Sequence, residues 1–212
     1  MSDSTPTEHR LTVSRSARCY TQGGAAPTEA WLLLHGYGQL ASRFLRGFES
    51  VATPTRLVVA PEGLSRFYLE AGAGKVGASW MTREDRASEI TDYLGYLAQV
   101  RRELIPQVPL TVLGFSQGVA TAARYAVAST PAPVRLICWG GLVPEEIAPK
   151  RLGAIRVTLV VGEREEWAPP AAVEAQAATL RAAGVVAEVL RFNGGHEIRP
   201  EVVARLLTLD AC

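Results

Sequence analysis

The sequence predicts an α/β protein, a three-layer α/β/α sandwich built on a mostly parallel central sheet. Three observations predict it. First, five segments share one form, a short continuous apolar run closing in a glycine-containing turn: WLLLHG (31–36), RLVVAPEG (56–63), PLTVLGFSQG (109–118), VRLICWGG (134–141) and IRVTLVVG (155–162). Continuous runs, unlike alternating ones, suit strands covered on both faces, as in a parallel sheet. Second, helical patterns fall between these runs, and strand–helix alternation packs as layers. Third, 212 residues with 48% hydrophobic content are enough for one core, and residues 11–212 read as a single domain behind a flexible tail at 1–10.

The elements follow in chain order. LTVSRSARCY (11–20) alternates, with Leu11, Val13, Ala17 and Cys19 on one face, and predicts a half-buried antiparallel strand. QGGAAPTE (22–29) is a loop by its glycine and proline content. In the stretch from Arg83 to Ile105, Ile90, Tyr93, Leu94, Leu97 and Leu104 keep helical spacing, with Thr82 as the expected cap. Residues 117–128 and 169–183 are alanine-rich helices, the second entered through Pro169–Pro170 and ended by Gly184. VVAEVLRF (185–192) is a further strand, and Pro200 opens a last helix to about Leu209.

Composition narrows the function classes. Net charge is +1 and no basic block occurs, which argues against nucleic-acid and polybasic membrane binding. Nothing approaches the ~18 apolar residues of a membrane span. The opening MSDSTPTEHR lacks the apolar core of a secretory leader, and Cys19, Cys138 and Cys212 are too few and too far apart for a disulfide framework. No cysteine or histidine spacing suggests a metal. The expectation is a cytoplasmic globular protein without metal or organic cofactor.

Gly114-Phe115-Ser116-Gln117-Gly118 is the sharpest chemical signal. A GxSxG alone is weak, but this one lies where a buried strand meets a helix, which is the context a nucleophile elbow needs. A serine hydroxyl requires a base. Of the three histidines, His9 is in the tail and His35 is expected to brace its loop by hydrogen bonds. His196, in FNGGHEI after the last strand, stands downstream of the serine and of candidate acids. The acid should follow the strand ending at Val161, where Glu163, Glu165 and Glu166 compete; no Asp lies between Asp92 and Asp210. An oxyanion needs two backbone N–H groups. Gln117, after the serine, supplies one, and Tyr37 in the loop His35-Gly36-Tyr37-Gly38 is expected to supply the other. A competing reading takes Gly36-Tyr37-Gly38-Gln39-Leu40-Ala41 as a dinucleotide fingerprint. Its nearest acid, Glu62, follows Pro61 in a loop, and that reading leaves Ser116 and His196 idle.

LLLHGYG, APEG, GASW (77–80), LGFSQG and GGHEI together, in order from about Trp31 to Leu209, resemble the carboxylesterase, phospholipase and acyl-protein thioesterase branch of the α/β-hydrolases. The resemblance implies that fold, here minimal and without a lid domain, with Ser116 as nucleophile and His196 as base. It implies the acid at Glu165, three residues after Gly162 and four before Pro169, although the family's usual acid is Asp. It also implies a small-molecule ester or acyl substrate: short- to medium-chain esters, lysophospholipids or acyl thioesters. Phe67, Tyr68, Leu69, Trp80 and Leu142 are the expected acyl-pocket residues. A hydrolase-fold binding module with little turnover is the alternative. Neither the sequence nor the resemblance fixes an oligomeric state.

Overall fold

The computed structural model describes residues 6–70 and 74–209. In chain order these form β1 (Cys19–Gly23), β2 (Glu29–Leu34), the one-turn α1 (Ala41–Phe44) running into a 3₁₀ turn (Leu45–Phe48), β3 (Arg56–Pro61), β4 (Ser65–Tyr68) and β5 (Val76–Ser79). Then come α2 (Arg86–Leu104), β6 (Leu110–Phe115), α3 (Gln117–Ala128), β7 (Arg135–Trp139), β8 (Arg156–Gly162), α4 (Pro170–Ala182), β9 (Ala187–Phe192) and α5 (Pro200–Thr208). Residues 1–5 of the expected tail, and Cys212, lie outside the described residues; residues 6–10 are exposed and without regular structure.

Seven strands make one sheet in the order β1-β3-β2-β6-β7-β8-β9. β1 runs antiparallel to β3 and every other pair is parallel. The continuous apolar runs resolve into two faces. Along β2, Ala30, Leu32 and Leu34 enter one core and Trp31 and Leu33 the other. Along β7, Leu136 and Cys138 part from Ile137 and Trp139 in the same way. Val100 of α2, Ala122 of α3 and Val173 of α4 cover the first face. Phe44 of α1 and Val202, Val203 and Leu206 of α5 cover the second. The predicted three-layer architecture with its mostly parallel sheet is therefore the one observed. β6 is the middle strand, so the turn that follows it emerges at the centre of the sheet's carboxyl edge. Between β7 and β8 the only helical element is a 3₁₀ turn at Pro149–Leu152.

Three expectations need correction. The first strand does not span 11–20: β1 starts at Cys19, and Leu11 and Val13 are exposed. A strand needs a partner, and β3 ends at Pro61, opposite Cys19, so the earlier alternation has nothing to pair with. Helix α2 starts at Arg86 with Asp85 before it at φ 46°, so Thr82 is not its cap; the Thr82 hydroxyl instead donates to Glu89 at 3.1 Å. Finally, β4 and β5 form an antiparallel hairpin where only loops were expected.

The loop after β2 is held by a buried imidazole. His35 is fully buried. Its Nε2 accepts the Gly63 N–H at 2.9 Å, so Nδ1 carries the proton and donates to the Gly36 carbonyl at 2.8 Å. Burial holds this histidine below its ordinary pKa of 6.5. Its neutral ring is the form both bonds require, so His35 is the brace the sequence suggested.

Two outcomes follow from this packing. Leu33→Ala should cost ~2–5 kcal/mol, whereas Leu11→Ala should change stability by less than ~0.5 kcal/mol, as read from urea midpoints. The second outcome concerns pH. Below about 6.5 the unfolded chain takes up a proton at residue 35 that the folded chain refuses, so stability falls with falling pH. The urea midpoint should therefore decline more steeply between pH 7 and pH 5 in the parent protein than in His35→Gln.

Candidate active site

Ser116 sits between the last residue of β6 and the first of α3, at φ 53° and ψ −120°. Side chains other than glycine rarely adopt that region, and its cost is borne where the surroundings enforce it. The surroundings here are backbone. A Cβ on Gly114 would strike the Gly118 carbonyl, and a Cβ on Gly118 would strike the carbonyls of Leu34 and His35 at the end of β2. Both glycines of the GxSxG are thus required by close approach. The Ser116 N–H donates to the Trp139 carbonyl at 2.9 Å, tying the turn to β7.

His196 and Glu165 meet across the ends of β8 and β9. The His196 Nδ1–H donates to Glu165 Oε2 at 2.7 Å, and the Trp167 N–H donates to Oε1 at 3.0 Å. The Glu165 side chain is 1% exposed, whereas Glu163 and Glu166 lie at the surface. Of the three competing glutamates, the one the resemblance pointed to is the one against the imidazole. Glycines again make the approach possible: a Cβ on Gly162 would come within 2.6 Å of the Gly194 and Gly195 carbonyls.

The turn Gly140-Gly141 after β7 lies between this pair and the serine. A Cβ on Gly140, which has φ 63°, would stand 3.1 Å from the His196 ring and 3.2 Å from Glu165 Oε2; one on Gly141 would stand 3.1 Å from the Ser116 carbonyl. The Phe115 and His196 rings are 4.8 Å apart. Among the described residues no hydrogen bond joins the Ser116 hydroxyl to the His196 ring. Bonds of this kind are often loose before substrate arrives and tighten in the reacting complex.

Two backbone amides flank the serine unspent. Gln117, as the first residue of α3, has no intrahelical acceptor, and among the described residues neither its N–H nor that of Tyr37 meets a protein acceptor. Sequence reasoning missed what holds these amides in place. The Gln117 side chain accepts the Trp80 N–H at 3.1 Å and donates to the Met81 carbonyl at 2.8 Å. The Gln39 side chain accepts the Gly36 N–H at 2.8 Å, while the Gly38 N–H donates to the Ala78 carbonyl at 2.9 Å. Both amide-bearing loops are thereby clamped to β5 and the residues that follow it. The available signal was two side-chain amides inside glycine-rich strand ends, near a GASW whose partner was unknown.

The expected pocket residues divide. Phe67, half-buried on β4, lies 5.0 Å ring to ring from Tyr37. Tyr68 and Leu69 are exposed, and Leu69 approaches Gly38. Leu142 is half-buried directly after Gly141. Trp80 is buried at 2% exposure, packs on His35 and donates to the His35 carbonyl at 2.8 Å. Trp167, which sequence reasoning passed over, is 83% exposed two residues beyond Glu165. The dinucleotide reading loses its acid, because buried Glu62 is taken by Arg18, Arg66 and the Ala41 N–H. Its helix is one turn long. Among the described residues no cluster of three or more His, Cys, Asp or Glu is arranged to hold a metal ion.

Neither a protein-family model nor a curated protein matches this sequence. Solved structures do. Acyl-protein thioesterase 2 of Zea mays superposes with a TM-score of 0.71 at 18% identity, over 92% of this chain and 98% of that one. A carboxylesterase from Mesorhizobium loti gives 0.72 at 20% identity, over 92% and 93%. The Bacillus cereus carboxylesterase gives 0.69 at 19% identity, over 92% and 94%. At such identities the likeness speaks to architecture, and with the parallel sheet and its serine turn it establishes that this chain has the α/β-hydrolase fold.

Proposed function

We propose that this protein is a serine hydrolase of carboxylic esters, working through Ser116, His196 and Glu165. The observation that carries the reading is the strained Ser116 turn sharing the Gly140-Gly141 wall with a hydrogen-bonded pair of buried Glu165 and half-buried His196. Glu165 holds the Nδ1–H tautomer and leaves Nε2 as the base. Ser116 Oγ attacks the carbonyl carbon while Nε2 takes its proton. The Tyr37 and Gln117 N–H groups receive the charge that develops on the carbonyl oxygen. The imidazolium then protonates the leaving alcohol or thiol, and the acyl group stays on Ser116. Water, deprotonated by Nε2, releases the acid and restores the hydroxyl.

The substrate side is open and apolar. Tyr37 packs on Phe67, Leu69 approaches Gly38, Leu142 follows Gly141 in the chain and Trp167 is exposed two residues after Glu165. These surfaces favour a single acyl chain of short to medium length, as an alkyl ester, a lysophospholipid or an acyl thioester. Membership of the carboxylesterase, phospholipase and acyl-protein thioesterase branch is part of the same proposal, supported by the motifs and by the fold. No helix among the described residues is long and apolar enough to cross a membrane. Burial also pushes the Cys138 thiol up to about 12, which leaves it protonated and unable to compete with the serine.

A fluorophosphonate probe at pH 8 is expected to label the protein once, at Ser116, with labelling lost in Ser116→Ala. No labelling would favour a binding module that keeps the crevice without turnover. Glu165→Gln should lower kcat for an aryl ester more than a hundredfold, while Glu163→Gln and Glu166→Gln change it less than threefold. Steady-state kinetics checks the ranking.

A further inference from the structure

A second cavity, of about 400 Å³, opens at the far end of α3 from Ser116. It lies between the last two turns of α2, the turn entering β6 and the segment that follows α3. Its volume falls within the usual range for small-molecule sites. Helical rise over the length of α3 puts it roughly 18 Å from the serine.

Three polar atoms of the residues around this cavity are unspent. Five buried side-chain N or O atoms among the described residues have no hydrogen-bond partner, and three of them belong to residues that line it, just beneath its surface: Arg101 Nη1, Tyr125 OH and Ser129 Oγ. Tyr125 is 2% exposed. A second guanidinium nitrogen of Arg101, Nη2, reaches only the Val108 carbonyl, at 3.4 Å. Buried polar groups in folded proteins are nearly always paired, so three such gaps on one cavity call for an external partner. Arg101 can only donate, and the two hydroxyls can donate as well. Arg102, paired at the surface with Glu103 at 3.4 Å, also lines the cavity, and no Asp or Glu does. The missing partner is therefore an acceptor carrying negative charge. Leu94, Ile105 and Pro131 supply apolar wall beside it.

We infer that this cavity is a binding site for a small organic carboxylate, its carboxylate on Arg101, Tyr125 and Ser129 and its hydrocarbon part against Leu94, Ile105 and Pro131. The site is separate from the catalytic crevice and does not rest on the hydrolytic reading. Occupancy requires a small opening movement of the side chains, because the three atoms are covered in the empty protein.

Hexanoate and its neutral isostere hexanamide test this, titrated into the full-length protein with backbone amide shifts as the readout. Saturable shifts centred on residues 101–107 and 125–131 are expected, with hexanoate binding at least tenfold more tightly than hexanamide. Arg101→Met should weaken hexanoate at least tenfold and Tyr125→Phe at least threefold. Because the Tyr125 hydroxyl has no partner in the empty protein, Tyr125→Phe should leave Tm unchanged or raised. Absence of saturation, shifts confined to other regions, equal affinity for the amide, or unchanged affinity in both variants would overturn the inference. A lowered Tm in Tyr125→Phe would do the same, by showing the hydroxyl already paired. Inorganic phosphate saturating the same residues as tightly as hexanoate would replace the organic carboxylate with a simple anion site.

Discussion

The contact on which the rest depends is backbone against backbone: the start of α3 lying on the carbonyl end of β2. Gly118 approaches the Leu34 and His35 carbonyls so closely that no side-chain carbon fits between them. That contact forces the chain to turn within one residue, and Ser116 takes the positive φ that results. It also brings the free N–H end of a twelve-residue helix beside the loop that carries Tyr37. The serine turn, the helix end and the neighbouring Tyr37 loop are thus consequences of one steric requirement, met at the middle strand of the sheet. The requirement resides in glycines, so it contributes function through absent atoms rather than through favourable contacts.

Around this point the protein spends hydrogen bonds on rigidity rather than on stability as such. His35, Gln39 and Gln117 each satisfy backbone groups of neighbouring strand ends. The Glu165 carboxylate beside His196 is consistent with the same economy. Its extra methylene is accommodated because Glu165 is fixed at both oxygens, one by the Trp167 N–H and one by the imidazole. A buried carboxylate with both oxygens occupied keeps its position, which compensates for the greater rotameric freedom of the longer side chain.

Much of this was legible in the sequence because it is written in local pattern. Parallel strands buried on both faces produce unbroken apolar runs, and the runs ending at Leu34, Phe115, Trp139 and Gly162 all became strands. The serine motif was readable because its glycines are demanded by the turn itself. What escaped was whatever depends on a partner distant in sequence. The alternation from Leu11 to Ala17 looked like a strand, yet no neighbouring strand extends far enough to pair with it. The four-residue strands β4 and β5 are too short to show a period and exist through each other and through the Gln39–Ala78 bridge. Nothing in the local sequence around Trp80 reveals that the His35 carbonyl awaits its indole N–H. Local pattern left Glu163, Glu165 and Glu166 open, and it was the resemblance that singled out Glu165, the one that faces inward.

The outer side of β9 carries a consequence of its own. This strand closes the sheet and leaves one row of peptide groups without a strand beyond it, an arrangement that invites a foreign chain to add on. Glu188 and Arg191 both stand on β9, and charged residues on a border strand oppose docking by a flat apolar ribbon. At the opposite border the guard is brevity: β1 offers five residues before the chain leaves through Gly23 and Gly24, both at positive φ. Lateral fusion of two sheets into one continuous ribbon is therefore disfavoured at both margins.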